Sequence, residues 1–307
     1  MTPHSRLERL ARSGTFCVTA EVVPPRSANG DVVRAQAREL VGYADAVNVT
    51  DNPRAAAHMS PVAGAALVAA AGLEPTIQIT CRDRNRLGLT ADLLGGWALG
   101  ARNLFCLTGD PVGVGDQPDA ATVNDLTVEE LVRLAAGLRD EGRLPSGTEV
   151  ADPPRYFIGV ADLPLAPSYD PARLEVKLDA GATFVMTQIV YDVEALASWV
   201  QIARSRGIVE RASLIAGVAP LSSAKQARFL NEKVPGVAVP ADLIAALEDA
   251  GPDAAAVGVA QCVEVVERLR SLEGIAGVHV MGMGHEEGVR AVVEGADLLP
   301  RPATVPD

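Results

Sequence analysis

The sequence predicts an α/β protein, a (βα)8 TIM barrel forming a single domain. Three observations predict it. Eight short runs rich in β-branched residues alternate with longer helical stretches, no Gly-x-Gly-x-x-Gly follows any of those runs, and no linker divides the chain. Strict alternation implies a parallel sheet with right-handed crossovers, and eight repeats favour closure over an open doubly wound sheet. A length of 307 residues suits one such barrel.

In chain order, Phe16–Val23 reads as the first strand and Asp31–Tyr43 as an amphipathic helix. Ala46–Thr50 is the second strand, stopped by Asp51-Asn52-Pro53; Ser60-Pro61 then starts a helix, with Ser as N-cap and Pro at the first helical position. Thr76–Cys81 is the third strand, followed by a helix over Ala91–Leu99, and Asn103–Thr108 is the fourth. Pro111–Val123 and Gly142–Pro154 are loops around a helix that Thr127 caps with Glu130 three residues on. Tyr156–Ala161, Phe184–Val190 and Ser213–Val218 are strands five to seven, separated by helices starting at Asp170 and Asp192. Two or three helical pieces fill Ser222–Arg270, and Val278–Met281 is the eighth strand. Residues 1–14 and 301–307 are expected to fray.

Composition narrows the function. A net charge of −12 with 4% aromatic residues argues against a nucleic-acid partner, which needs basic surface and stacking platforms. No secretory signal and no apolar run of about 18 residues is visible, so no membrane partner is expected and a cytoplasmic location follows. Cys17, Cys81, Cys106 and Cys262 lie far apart and are expected to be buried, reduced thiols; with His4, His58, His279 and His285 they show no zinc-ligand spacing.

Barrel active sites lie at the carboxyl ends of the strands. Polar residues there include Glu21, Thr50 with Asp51 and Asn52, Gln78, the Cys81–Arg86 stretch, Asp110, Asp162, Gln188 and Gly282–His285. Each has a structural alternative. Glu21 could pair with Arg82 or Arg84, the two glutamines could cap backbone groups, Asp110 could form a turn, and Arg82, Arg84 and Arg86 could be a solvated face. Convergence favours a site, because one mouth would receive Glu21, Thr50, Gln78, Asp110 and Gln188 together.

These residues lie in motifs that resemble those of the methylenetetrahydrofolate reductase family: AEVVPPR (Ala20–Arg26), VNVTDN (Val47–Asn52), TCRDRNR (Thr80–Arg86), LTGDP (Leu107–Pro111), DAGATFVMTQIVYD (Asp179–Asp192) and GVAPLSSAKQ (Gly217–Gln226). The likeness runs from about residue 16 to 302, and the CRDRNR and LTGD wording resembles the bacterial, acetogen-like branch.

The resemblance implies reduction of 5,10-methylenetetrahydrofolate to 5-methyltetrahydrofolate, with FAD relaying hydride from NADH or NADPH. It makes Glu21 the general acid that protonates N10. Asp110 would lie near flavin and pterin, and Gln188 would contact folate or nicotinamide. Thr50 would sit at the flavin edge, while Asp170 and Lys177 would hold its ribityl and phosphate groups. Four positions depart from the family pattern: Gln78 replaces a histidine, Thr108 an arginine and Ala224 an aromatic, and the loop between Asp162 and Asp170 is short. Direct hydride transfer without flavin, a folate-binding methyltransferase, and a non-catalytic subunit of a redox complex remain alternatives. A homo-oligomer or a redox partner also remains open.

Overall fold

The computed structural model describes residues 3–302. Strands β1 (Cys17–Val22), β2 (Ala46–Val49), β3 (Pro75–Thr80), β4 (Asn103–Leu107), β5 (Phe157–Asp162), β6 (Phe184–Ile189), β7 (Ser213–Val218) and β8 (Ile275–Val280) are parallel. They close into a barrel in sequence order, with β8 pairing back onto β1.

Around the barrel run α2 (Gly30–Leu40), α3 (Pro61–Ala70), α4 (Arg86–Ala98), α5 (Val128–Glu141), α6 (Pro171–Asp179), α7 (Val193–Ser205), α8 (Ala224–Lys233), α9 (Ala241–Asp249), α10 (Ala254–Arg270) and α11 (Glu286–Gly295). Short side chains at their starts satisfy the free amides there. Thr127 and Glu130 form a reciprocal capping box at α5, and Asp170 and Asp192 accept from Ala172 and Ala195 N–H groups. Among the described residues no helix is long and apolar enough to cross a membrane.

Side chains alternate between two cores. On β1, Val18, Ala20 and Val22 pack outward against the helices, so Cys17, Thr19 and Glu21 face the interior. The interior floor is filled by Phe105, Phe157, Phe184, Met186 and Ile215. The Phe184 ring stacks on Phe157 at 4.7 Å, in space left by Gly159, where a Cβ would sit 2.1 Å from the ring.

The N-terminus corrects one expectation. Instead of fraying through residue 14, the chain forms α1 (Arg6–Arg12), capped by Ser5, whose hydroxyl accepts from Glu8 N–H at 2.8 Å. Leu7 and Leu10 are buried against the barrel floor, and this apolar burial holds a helix too short to persist alone. Arg301 is likewise tied down, donating to Phe16 O at 2.8 Å and to Asp45; the rest of the expected frayed tail, 303–307, lies outside the described residues. α4 starts at Arg86 rather than Ala91 because Asn85 caps it, and Ser60 makes no side-chain cap at α3. All four cysteines are free and buried.

Candidate active site

At the carboxyl ends of the strands the barrel interior opens into a cavity of about 150 Å³. Glu21, Gln78, Asp162, Gln188, His279 and Met281 line it, with Asn48 beside Glu21 as its register partner on β2. A register irregularity between β6 and β7 bends the end of β6, and both Thr187 and Gln188 reach the cavity. The Gln188 amide donates to Pro235 O at 3.3 Å and accepts from Ile189 N–H at 3.0 Å.

Glu21 has no ion-pair partner among the described residues. Arg82 is spent on Asp83 at 2.6 Å, and Arg84 on Asp51 and, at 2.9 Å, on Asp92. Burial therefore dominates and pushes the Glu21 carboxyl up to about 7; the Met283 backbone N–H opposes the rise and Glu286 adds to it. Asp162 is also raised, chiefly by burial, although Tyr169 donates to it at 2.9 Å and Lys177 lies near. His279 is lowered to about 4 by burial, so its ring is neutral, and its Nδ1 is 3.0 Å from Thr19 Oγ1.

The remaining residues expected at the site, Thr50, Asp110, Asp170 and Lys177, are not in the lining of this cavity. Thr50 is buried just past β2 and its hydroxyl has no partner. Asp110 is exposed on the rim, where its carboxylate accepts from Arg54 N–H at 2.7 Å. Lys177 donates to Ala161 O at 2.7 Å, at the end of β5, and burial lowers its pKa. Asp170 is exposed and caps α6, outside the lining of the cavity. Asn48, His279 and Met281 line the cavity but were not singled out from sequence. Alternation on AVNV and VHVM was the available signal, since it puts them on the same inner face as Glu21.

A flavin would need polar partners for its ring edge and a cation for its phosphate. The unpartnered Thr50 hydroxyl, the Gln78 side chain and the Lys177 ammonium are of the right chemistry and stand at the ends of β2, β3 and β5. In chemistry, these residues suit a flavin ring edge and its first phosphate. Among the described residues, no group of three or more His, Cys, Asp or Glu could hold a metal ion.

Fold and site together define a TIM barrel with a small-molecule pocket at the strand ends, built around an unpaired carboxyl group. The chain matches the family model described as methylenetetrahydrofolate reductase over residues 6–297, and it belongs to that family. A Caenorhabditis elegans protein described as a probable methylenetetrahydrofolate reductase (NADPH) is 26% identical, covering 96% of this chain and 44% of its own length. Methylenetetrahydrofolate reductase 1 of Schizosaccharomyces pombe is 28% identical over 74% of this chain and 36% of its own length. The chain thus spans less than half of these two relatives. The 5,10-methylenetetrahydrofolate reductase of Escherichia coli K12 is 28% identical over 75% of this chain and 72% of its own.

Among solved structures, a Clostridium thermocellum protein described as binding two copies of 5-methyl-5,6,7,8-tetrahydrofolic acid superposes with a TM-score of 0.62 at 13% identity, covering 96% of this chain and 99% of that one. DmoA of Hyphomicrobium sulfonivorans superposes with a TM-score of 0.59 at 10% identity, covering 93% of this chain and 88% of its own. Identities this low show the shared fold.

Proposed function

We propose that this chain reduces 5,10-methylenetetrahydrofolate to 5-methyltetrahydrofolate with hydride from NADH or NADPH, and that Glu21 is the general acid. The observation that carries this reading is an unpaired carboxyl group, raised to about 7, lining a cavity at the strand ends of a barrel from this family.

Glu21 donates its proton to N10 of the folate as the five-membered ring opens. The opening leaves an electrophilic iminium carbon on N5, which accepts the hydride. A surface glutamate, ionised at neutral pH, has no proton to give; desolvation at the end of β1 supplies one. Neutral His279 and the Asn48 amide line the floor beneath, adding no cation that would strip the proton from Glu21. Gln188 offers an amide to the ring edge once it releases Pro235 O. A bound flavin, held by Thr50, Gln78 and Lys177, would supply hydride relay. The four buried, free thiols suit a reducing cytoplasm.

A second reading, direct hydride transfer from the nicotinamide, is favoured by Asp170, which caps α6 and lies outside the cavity lining. The visible absorption spectrum of the purified protein separates the two: a bound flavin absorbs, and a colourless active protein transfers hydride directly. For the reaction itself, oxidation of NADH or NADPH that depends on methylenetetrahydrofolate is expected. No such oxidation by the intact wild-type chain would refute the proposal.

A further inference from the structure

Beside the mouth lies a second cavity of about 420 Å³, walled by the loops after β1, β2 and β4, with Arg26, Arg54, His58 and Asp116 in its lining. We propose that this cavity holds an extended anionic chain, carried either by the glutamate tail of the folate or by the diphosphate of the nicotinamide dinucleotide, through Arg26 and Arg54. The inference rests on the folate-reductase reading for the ligand but not for the site.

Size gives the first reason. The Glu21 cavity, at about 150 Å³, is far smaller than either whole ligand, so the rest of the ligand must lie outside it. Arg26 follows Glu21 by five residues across Pro24 and Pro25, and the Arg54 N–H is fixed by the Asp110 carboxylate at 2.7 Å. Both arginines therefore lie on loops that leave the strands carrying Glu21 and Asn48.

The Arg54 donors are also free among the described residues. Among the described residues the Arg54 guanidinium meets no carboxylate; it lies over the Phe229 ring of α8 at 5.2 Å, which orients the plane and leaves its N–H edge open. Arg26 makes a long ion pair with Asp116 at 3.5 Å, whose oxygens also accept from Ala57 N–H at 3.1 and 3.3 Å. In a chain of net charge −12, this cavity gathers one arginine that meets no carboxylate among the described residues and a second held only by a long ion pair.

The loop holding Arg54 is strained rather than slack. Asn52, Arg54 and Ala55 adopt φ of 46°, 55° and 53°, which L side chains disfavour. Gly115 packs against it so closely that a Cβ would come within 1.9 Å of Ala55 O. Backbone held in this way is characteristic of ligand clamps.

Calorimetry with inorganic tripolyphosphate and with a γ-linked pentaglutamate peptide tests the site on the whole chain, independently of turnover. Wild-type protein is expected to bind at least one probe, with affinity falling as salt rises; the Arg26→Gln/Arg54→Gln double variant is expected to bind it about tenfold more weakly. Steady-state kinetics then assign the source. If the glutamate tail occupies the cavity, the double variant loses the KM advantage of pentaglutamyl over monoglutamyl folate. If the diphosphate does, it loses the advantage of NADH over reduced nicotinamide mononucleotide. Arg54→Lys, which keeps the charge, is expected to retain part of the affinity. Wild-type protein binding neither probe, or the double variant matching wild type in both probe affinities and both KM ratios, overturns the proposal.

Discussion

Arg84 is ion-paired to Asp51, a buried carboxylate just past the end of β2. Asp51 is almost wholly buried and also accepts from Thr80 N–H at 2.8 Å and Thr80 Oγ1 at 2.9 Å. Arg84 is held there and Arg82 by Asp83, and the charges that act on Glu21 include neither arginine. Removing one partner of a buried pair strands the other charge, at a cost of about 3–5 kcal/mol. Asp92 would retain Arg84, so Asp51→Ala is expected to lower the unfolding free energy by about 2 kcal/mol or more, read from urea denaturation.

Glu21→Gln should separate activity from stability. Methylenetetrahydrofolate-dependent NAD(P)H oxidation is expected to fall by about 10²-fold or more, the usual contribution of a positioned acid. Stability should move the other way. The folded carboxyl titrates at about 7 against an ordinary 4.5, so between those values the folded state binds more protons than the unfolded one and stability falls as pH rises. The glutamine variant should match wild type near pH 4 and exceed it by up to about 3 kcal/mol above pH 7. Equal stability at both pH values would contradict the assigned environment.

His279 carries the opposite slope in a different window. Burial lowers it from 6.5 to about 4, so the unfolded state binds the extra proton and stability is lost as pH falls through that interval. His279→Asn is expected to flatten the acid side of the stability profile between about pH 6.5 and pH 4, measured by denaturant titration at a series of pH values.

The alternation of strands and helices was readable because each strand is bounded by its own turn or cap residues, such as Asp51-Asn52-Pro53 and the Thr127–Glu130 box. The barrel mouth was readable for a related reason: Glu21, Gln78 and Gln188 are polar interruptions in apolar strands, and closure brings them to one cavity. Other features depend on contacts distant in sequence. The α1 helix is held by the barrel floor, and only the Ser5-to-Glu8 capping spacing hinted at it. Arg54 reaches Phe229 because three left-handed residues redirect its loop, which no local pattern announces. Asp170 illustrates the reverse limit, since a residue that matches a binding motif here also caps a helix, outside the cavity lining.

Gly159 tests the packing beneath the site. Its missing side chain makes room for the fully buried Phe184 ring, so Gly159→Ala forces the ring off its position. Overpacking of this kind costs about 1–3 kcal/mol, and a lowered Tm by calorimetry is expected, with Phe184→Leu in the same chain recovering part of the loss.

The proton on Glu21 is best followed directly, by ¹³C NMR of the labelled side-chain carboxyl across a pH titration of the intact protein. A midpoint near 7 is expected, displaced upward by burial at the end of β1. Ionisation complete below pH 5 would show a carboxylate with no proton to deliver at neutral pH, and the acid role would fall with it.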